Sequence, residues 1–553
     1  MRRVLATVLL ASLGVIGGAG AAGAKTVSGT DGPDRLQGTA AADILDGRSG
    51  DDRIEARGGD DFVNGGRGAD TIFAGAGNDR ISVEQDRSRD VVHCGAGRDV
   101  VTAERSDTVT ADCEVVSRQL SRDPYLNPDS QHETQVEPDS FSFGSTVVAT
   151  FQSGRFPDGG ASNIGFATSR NNGRTWRSGF LPGMSAFSVP PGDNELVSDP
   201  AVAYDAAHKS WLVASLSEAG SGSELLVTRS SNGINWRRPV TAASNDGEDF
   251  DKEWIVCDNG RASPFRGRCY ITFTDFAGHR VGTIASSDAG VTWSKPTTFY
   301  AWTAPFEYAN GTQPVVQTDG TLVVAFVIFQ RTSANVVTVR SLDGGATFET
   351  PVLVSALFDA DVVGMRAPSF PSAGVDAQGT IYLAWHDRRF SADDWTSGIA
   401  LTSSRDGVTW TEPTRVPTGR LNIGRQDFLP GLAVDPATSG RKARLAITYY
   451  TLPEQGGCEL YFVCPGVDAE LVTSRDGGVT WAPPQRLTTR PMTLGWIADT
   501  GLGRMLGDYI STSFAGGRVV PVFAVASPKV GGSFRQAIYA MTRLVGTPPP
   551  LRR

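Results

Sequence analysis

The chain has 553 residues, of which 40% are hydrophobic and 20% charged, and its formal net charge at pH 7 is −9. A chain of this length can bury a large core and can hold more than one domain. The negative net charge argues against a nucleic-acid partner. We expect a monomer.

The first 24 residues are predicted to form a secretory signal peptide. Met1, Arg2 and Arg3 precede an apolar run over 4–16, and a stretch of small residues ends at Ala24. No later segment is apolar for long enough to span a bilayer. We therefore expect a secreted, extracellular protein, and association with a cell surface by other means is left open.

The cysteines agree with export. The chain has six, and they form three local couples: Cys94 with Cys113, Cys257 with Cys269, and Cys458 with Cys464. Many connectivities are possible, but pairing within each couple is the simplest in an oxidising compartment. A metal site is the weaker interpretation, because no couple has the C-x-x-C spacing or a suitably placed histidine.

Residues 25–117 carry a repeat with a period of nine residues. Each copy has a glycine-rich turn, an aspartate at the sixth position and an aliphatic residue two places later. The aspartates are the candidate metal ligands: Asp34, Asp43, Asp52, Asp61, Asp70, Asp79 and Asp99. Glycines allow tight turns that aim carbonyls inward, so stacked turns could surround a hard cation with oxygen atoms.

This pattern resembles the RTX-type calcium-binding β-roll. The resemblance implies a short parallel β-roll, with Ca²⁺ as the bound ion and as a source of much of the folding energy. The alternative is a flexible Gly/Asp-rich spacer that binds ions weakly or not at all. In the RTX family the repeats usually lie near the C-terminus. Their N-terminal place here favours a calcium-dependent spacer or adhesive stalk, joined by a linker over 118–130.

A second repeat follows, and it predicts hairpin turns. Its unit is Ser, one residue, Asp or Asn, then Gly, Thr in most copies, and an aromatic residue. The side chain of Asp or Asn can accept bonds from turn amides, Gly takes a positive φ, and the aromatic ring packs below. Six copies begin at these positions: Ser169, Ser230, Ser286, Ser341, Ser404 and Ser474.

These units are similar to the Asp boxes of sialidase-like β-propellers, and the resemblance covers residues 131–545. It implies an all-β fold with a six- or seven-bladed propeller after the β-roll, and a short tail over 546–553. An apolar strand pattern precedes each box and returns without a box over 505–543, which makes seven modules. The last module would be completed by an N-terminal strand near 125–135. The sialidase enzymes have six blades.

The resemblance also implies a catalytic site, placed just ahead of the first strand of each module. Sialidases need an arginine cluster for the sugar carboxylate, a tyrosine nucleophile, a glutamate base and an aspartate acid. The matching residues are Arg366, Arg425 and Arg504 as the clamp, Tyr509 as nucleophile, Glu253 as base, and Asp251 or Asp199 as acid. The Arg-Ile-Pro motif of the family is missing, because the first strand reads Val136-Glu-Pro-Asp139.

Two functions therefore remain open. One is a sialidase-like exo-glycosidase that cleaves a terminal acidic sugar through Tyr509. The other is a non-catalytic glycan- or protein-binding adhesion protein on a calcium-stabilised stalk. Convergence of the three arginines on one anion beside Tyr509 would favour the first. Pairing of each arginine with an aspartate of the neighbouring blade would favour the second, and the same charges would then form ion pairs between blades.

Overall fold

A computed structural model describes most of the chain. The described residues are 23–83, 86–219, 222–244, 249–359, 361–391, 396–419, 424–453 and 466–545. Most of the predicted signal peptide, the couple Cys458 and Cys464, and the tail over 546–553 lie outside these residues. No helix in the described part is long and apolar enough to cross a membrane.

The N-terminal part is a β-solenoid of two parallel sheets. Its strands are β1 (Thr26–Ser28), β2 (Arg35–Gln37), β3 (Ile44–Asp46), β4 (Arg53–Glu55), β5 (Phe62–Asn64), β6 (Thr71–Ala76), β7 (Arg80–Val83), β8 (Val91–Ala96), β9 (Val100–Ala103), β10 (Thr108–Val109) and β11 (Val115–Gln119). Odd-numbered strands form one sheet and even-numbered strands the other. Two nonapeptides make one coil, so Val27 pairs with Leu45, eighteen positions later.

The solenoid interior is a single column of aliphatic side chains. Leu45, Ile54, Val63, Ile72 and Ile81 are all fully buried. Each is the second residue of its strand, which is the place that a period of nine assigns to it. So thin a core offers little apolar area to offset chain entropy. A disulfide between Cys94 and Cys113 closes the last coils, and this predicted pairing is confirmed.

The rest of the chain forms antiparallel four-stranded meanders. The first two are β12 (Gln135–Phe143), β13 (Thr146–Arg155), β14 (Ala161–Ser169), β15 (Arg177–Phe180), and β16 (Leu196–Asp205), β17 (Ser210–Ala219), β18 (Gly222–Ser230), β19 (Val240–Ser244). The third is β20 (Phe250–Cys257), β21 (Cys269–Asp275), β22 (Arg280–Ser286), β23 (Thr297–Ala301), and the fourth is β24 (Tyr308–Val316), β25 (Leu322–Gln330), β26 (Ser333–Ser341), β27 (Val352–Leu357). A disulfide joins Cys257 to Cys269 across the third, as predicted.

Three further meanders follow. The fifth is β28 (Ser372–Val375), β29 (Ile381–Asp387), β30 (Gly398–Ser404), β31 (Thr414–Arg415), and the sixth is β32 (Gln426–Val434), β33 (Leu445–Leu452), β34 (Asp468–Ser474), β35 (Gln485–Arg486). After a short hairpin, β36 (Asp499–Thr500) and β37 (Gly503–Arg504), the seventh contains β38 (Ser511–Ala515), β39 (Arg518–Ala526) and β40 (Gln536–Leu544). Two 3₁₀ turns lie at Gly440–Lys442 and Leu494–Trp496.

The first strands of the meanders surround a common centre. Each contacts the first strand of the next meander, from β12 through β16, β20, β24, β28 and β32 to β38, and β38 contacts β12. All seven meanders therefore bring their first strands to the middle of one arrangement.

The fourth strand of the seventh meander is β11, the last strand of the solenoid. It pairs with β9 on one edge and antiparallel with β40 on the other, so the two parts share a continuous sheet. The closing strand was expected near 125–135, and residues 118–130 were expected to be a linker. The structure instead uses 115–119, which follow the solenoid register, whereas Pro124 and Pro128 cannot donate ladder hydrogen bonds.

The six repeated turns connect the third and fourth strands of the first six meanders. In the fourth, Asp343 accepts hydrogen bonds from the amides of Ala346 (3.0 Å) and Thr347 (2.9 Å), and the amide of Gly345 donates to the Ser341 hydroxyl (2.8 Å). These bonds fall within one turn, far from the starts of the first strands. They give the repeat a structural role.

Candidate functional site

A two-residue bulge recurs in the first strands and directs side chains to the centre. In five of these strands the pairing register shifts, and the residue at the shift has a positive φ. The residues and their φ angles are Glu137 (54°), Asp199 (45°), Lys252 (50°), Gly311 (75°) and Leu429 (50°). A left-handed non-glycine residue costs about 1 kcal/mol or more, and such strain is concentrated at functional sites.

Proline explains where three of the bulges fall. Pro138, Pro200 and Pro430 directly follow Glu137, Asp199 and a leucine in the strands. Because proline has no N–H group, it cannot donate a hydrogen bond to the ladder, and it is tolerated at a bulge. These three bulges are thus encoded locally.

The bulges border a central cavity of about 810 Å³ that all seven first strands line. Lys252, Trp254, Asp508 and Tyr509 lie among its walls. A cavity of this size with a few convergent polar groups has the form of a small-molecule site. We refer to the end where the first strands begin as the mouth.

Carboxyl groups dominate the mouth. Burial, followed by the charges of Asp199 and Asp508, raises the pKa of Glu137 well above its ordinary value. Burial, followed by the charge of Asp199, does the same for Glu253. The pKa of Asp251 is raised to about 6, again mainly by burial. Some of these acids therefore hold a proton near neutral pH and can donate it or share it with a ligand.

Neutral side chains donate hydrogen bonds to most of the carboxyl groups at the mouth. The amide of Gln152 donates to Glu137, the Ser198 hydroxyl donates to Asp199 (2.6 Å), and the Asn310 amide donates to Asp251 (2.8 Å). Glu253 differs, because neither of its buried carboxyl oxygens has a hydrogen-bond partner within the described residues. A buried carboxyl group in that state is most stable when protonated.

Two cations enter the cluster. The Arg366 guanidinium binds Asp508 through two parallel hydrogen bonds of 2.8 and 2.6 Å. The Lys252 ammonium lies 3.5 Å from the centroid of the Tyr509 ring and 4.8 Å from that of Trp254. The buried Nζ of Lys252 has no hydrogen-bond acceptor among the residues that the structure describes, so contact with the aromatic faces is its main direct interaction.

The structure brings some of the predicted site residues together. Tyr509, Glu253, Asp251 and Asp199 belong to the mouth, and so does Arg366. Because the Arg366 guanidinium binds Asp508 through both donors of one edge, that edge is already paired with a carboxylate of the protein.

The other two predicted clamp residues have partners of their own. Arg425 binds Asp427 (3.0 Å) and Glu470 (3.5 Å), both in the sixth meander. Arg504 binds Asp499 within the β36–β37 hairpin. In this arrangement the three arginines do not share one anion.

The Tyr509 hydroxyl donates a hydrogen bond to the main-chain carbonyl of Pro200 (3.1 Å) and not to Glu253. Burial, followed by the charges of Glu137 and Asp199, raises the pKa of Tyr509 well above its ordinary value. The phenol is therefore protonated in this arrangement.

Glu137, Lys252 and Asp508 belong to the mouth but were not assigned roles from the sequence. A signal for the first was present, because Glu137-Pro138 and Asp199-Pro200 occur at matching places in consecutive modules. No comparable pattern marks Lys252 or the pairing of Asp508.

The solenoid holds a second group of acids, in two ladders. One contains Asp34, Asp52, Asp70, Asp90 and Asp107, and the other contains Asp43, Asp61, Asp79 and Asp99. In each ladder one carboxyl oxygen accepts the amide of the aspartate one coil earlier, as in the bond from Asp52 to Asp70 (2.9 Å). The sequence repeat had not included Asp90 and Asp107, which follow the irregular stretch.

The second carboxyl oxygens fit a calcium ion. Those of Asp52, Asp61, Asp70, Asp79 and Asp99 are buried, and the described residues offer them no hydrogen-bond partner. Burial and the neighbouring acids raise the pKa of Asp61 to about 6 and that of Asp70 to about 7. Such oxygens are stabilised by a hard cation.

The glycines complete the calcium fit. A Cβ atom at Gly65 would lie 2.6 Å from the free oxygen of Asp70, so glycine keeps the space beside it open. No three His, Cys, Asp or Glu side chains of the described residues converge on one point. Main-chain carbonyls must therefore supply further ligands, as the glycine-rich turns predict.

Comparison with known families agrees with this fit. Residues 28–63 and 55–87 match the family model of the RTX calcium-binding nonapeptide repeat. The N-terminal part of the chain is thus built from RTX calcium-binding repeats. No curated protein matches the chain.

Solved structures with similar folds are sialidases and related carbohydrate-active proteins. The Hadza microbial sialidase Hz136 is 16% identical with a TM-score of 0.38, over 74% of this chain and 65% of that one, so this chain spans under two thirds of its length. A PL25 ulvan lyase is 12% identical (TM-score 0.44, 76% and 94% covered). An α-L-arabinanase of Penicillium chrysogenum complexed with arabinobiose is 14% identical (TM-score 0.40, 61% and 93% covered). These values assign neither a substrate nor a reaction to this chain.

Proposed function

We propose that the protein is a secreted, calcium-stabilised glycan-binding protein, in which a seven-bladed propeller carries the binding site at the mouth. The seven meanders with mutually contacting first strands support this blade count. The disulfides, together with the predicted signal peptide, support secretion.

The observation that carries the proposal is the composition of the mouth. Asp139, Asp508, the Lys252 ammonium and two aromatic rings line one end of a large cavity. Further buried acids of the mouth act electrostatically on Tyr509 at this end. Carboxylates accept hydrogen bonds from hydroxyl groups, and protonated acids donate them. The rings of Trp254 and Tyr509 add apolar faces that can cover the C–H face of a sugar. Hydroxyl-rich ligands use both kinds of contact.

Binding is favoured over hydrolysis by the state of the arginines and of Tyr509. A clamp for an acidic sugar needs free guanidinium forks, whereas Arg366, Arg425 and Arg504 each bind a protein carboxylate. A tyrosine nucleophile needs a base that accepts its hydroxyl proton. The hydroxyl of Tyr509 instead donates to the main-chain carbonyl of Pro200, which is not such a base.

The test is a glycan-array screen of the mature protein in calcium, followed by titration of the best glycan. Trp254→Ala should weaken its binding at least tenfold. Phe143→Ala is the matched control, because Phe143 is a partly exposed aromatic residue at the far end of β12. Absence of glycan binding by the wild type, or equal loss in both variants, would contradict the proposal.

Exo-glycosidase activity through Tyr509 is the second candidate, and one observation favours it. The Lys252 ammonium lies over the Tyr509 ring, where a positive charge would stabilise a phenolate once a substrate displaces the Pro200 contact. Release of methylumbelliferone from a sialic-acid glycoside, lost in Tyr509→Phe, would establish this activity. No turnover by the wild type would remove it.

A further inference from the structure

Aromatic side chains form a strip on the mouth side of the third and fourth meanders. In an antiparallel meander the second and fourth strands end where the first strand begins, so residues at these ends lie on the side of the mouth. Six aromatic residues lie at or beside the ends of β21, β23, β25 and β27 or the start of β24. We call them the aromatic strip: Phe276, Trp302, Phe306, Tyr308, Phe329 and Phe358.

Ring contacts connect the aromatic strip to the central cavity. Tyr308 and Phe329 are opposite each other in the pairing of β24 with β25, and their rings stack with centroids 4.7 Å apart. The Phe329 ring lies 6.5 Å from that of Phe370, which lines the cavity. A Cβ atom at Gly311 would lie 2.3 Å from the Phe370 ring, so glycine allows this ring to pack against β24. The Tyr308 ring also lies 6.1 Å from that of Phe276. The rings therefore run without a break from the cavity to the third meander.

Three rings of the aromatic strip are open to solvent. Phe306 is 69% exposed, Phe358 46% and Tyr308 41%. At about 200 Å² for each aromatic side chain, they present roughly 300 Å² of surface. A stable protein–protein interface buries about 800 Å² on each partner. The exposed rings are thus too small an area for a protein partner and fit a narrow ligand.

Phe306 is held in its exposed position at a conformational cost. Its φ angle is 65°, in the left-handed region that bulky side chains rarely adopt. The amide of Glu307 closes the turn by donating to the carbonyl of Ala304 (3.2 Å). The Glu307 carboxylate accepts hydrogen bonds from the Tyr300 hydroxyl (2.8 Å) and the Gln330 amide (3.0 Å). Burial of the ring does not offset this strain, and strain of this kind is concentrated where ligands bind.

Polar groups border the exposed rings. Burial, followed by the charge of Asp359, raises the pKa of Tyr308, so a carboxylate acts on this phenol. The Arg331 guanidinium lies 5.2 Å from the centroid of the Phe306 ring. Aromatic rings cover the C–H faces of sugars, and charged groups at the ring edges bond to sugar hydroxyls. This mixture suits a saccharide better than a wholly apolar ligand.

We propose that the aromatic strip binds successive residues of a saccharide chain whose end occupies the mouth, so that the ligand is an oligosaccharide or polysaccharide of at least three residues. The proposal rests on the glycan-binding function proposed for the mouth and names its ligand class. Aromatic rings provide contact area at a low cost in side-chain entropy. Each ring that a sugar covers adds to binding, and affinity therefore rises with the length of the chain.

The experiment is calorimetric titration of the mature protein in calcium with oligosaccharides of one to six residues. The probes are five series, built from β-1,4-linked glucose, xylose, mannose or N-acetylglucosamine, or from α-1,5-linked arabinose. In a series that binds, we expect the affinity to rise at least tenfold between the monosaccharide and the tetrasaccharide. Equal affinity at all lengths would overturn the proposal and leave the mouth as the binding site. Absence of binding in all five series would also overturn it, whatever the array shows for the mouth.

Variants separate the aromatic strip from the mouth. Phe306→Ala and Tyr308→Ala should each weaken hexasaccharide binding at least fivefold and leave the shortest ligand that binds unaffected. Both side chains are exposed, so both variants should keep the melting temperature of the wild type. Phe143→Ala is the matched control, because Phe143 is 44% exposed at the opposite end of the meanders.

Trp254→Ala should weaken the binding of short and long ligands alike. If Trp254→Ala loses hexasaccharide binding and the two strip variants do not, the aromatic strip is refuted and the mouth stands. If the strip variants lose binding and Trp254→Ala does not, the aromatic strip binds glycan and the function proposed for the mouth is refuted.

Discussion

Removal of calcium should loosen the seventh meander as well as the solenoid, because β11 belongs to both. The solenoid aspartates repel one another without a cation, and the aliphatic column between them is thin. If the coils separate in chelator, β11 loses its partner β9 and β40 loses the strand that covers its outer edge. The experiment therefore changes the calcium concentration and measures the response in β40, far from the aspartates.

The magnitude follows from the side chains that the solenoid contributes to the common core. Val100, Val115 and Leu120 pack in one cluster with residues of β38–β40, and all three are buried. At roughly 2 kcal/mol for each buried aliphatic side chain, their removal costs the seventh meander roughly 6 kcal/mol. Local opening governs amide exchange, so the amides of β40 should exchange on the order of 10⁴-fold faster in chelator.

The assay is hydrogen exchange with mass spectrometry on the mature protein in calcium and in chelator. Peptides from β25 and β26, in the fourth meander, serve as the internal reference. Asp79→Asn should reproduce part of the chelator effect in calcium, because Asp79 is fully buried with an oxygen available to the ion. Asp193→Asn is the matched control at an exposed loop. Faster exchange in the solenoid with unchanged exchange in β40 would refute the reasoning.

Three further predictions concern ionisable groups. In chelator, stability should fall as the pH rises from about 4 to about 7, because the fold raises the pKa of Asp70 to about 7. An acid whose pKa is raised by folding favours the folded state only while it is protonated. Thermal melts with saturating calcium should lack this fall. In urea denaturation, Arg366→Lys should lower the free energy of unfolding by about 2–3 kcal/mol, because it breaks the bidentate bond to Asp508. Arg504→Lys, at a more exposed ion pair, should lower it by about 0–1 kcal/mol. Equal costs would contradict the geometry. The hydrogen bonds that Asp343 accepts within its turn lower its pKa to about 2, so Asp343→Ala should lower the free energy of unfolding by about 1 kcal/mol at pH 7. A stability difference between variant and wild type that persists unchanged at pH 2 would argue against this cause.

The sequence by itself determined the repeats and what each repeat does locally. A period of nine placed Leu45, Ile54 and their equivalents inside the solenoid, because each coil repeats the same turn, ligand and core position. The hairpin turns followed for the same reason, since Asp343 and Ser341 bond only to neighbours within four residues. Short-range disulfides were predictable because few alternatives were close along the chain.

Only the tertiary structure decided which strand completes the seventh meander and how the charges pair. β11 is chosen by its continuity with the solenoid sheet, a contact between residues more than 400 positions apart. The equivalent places of Arg366, Arg425 and Arg504 suggested one shared anion. In the fold each meets a different carboxylate, because long side chains take the nearest partner in space.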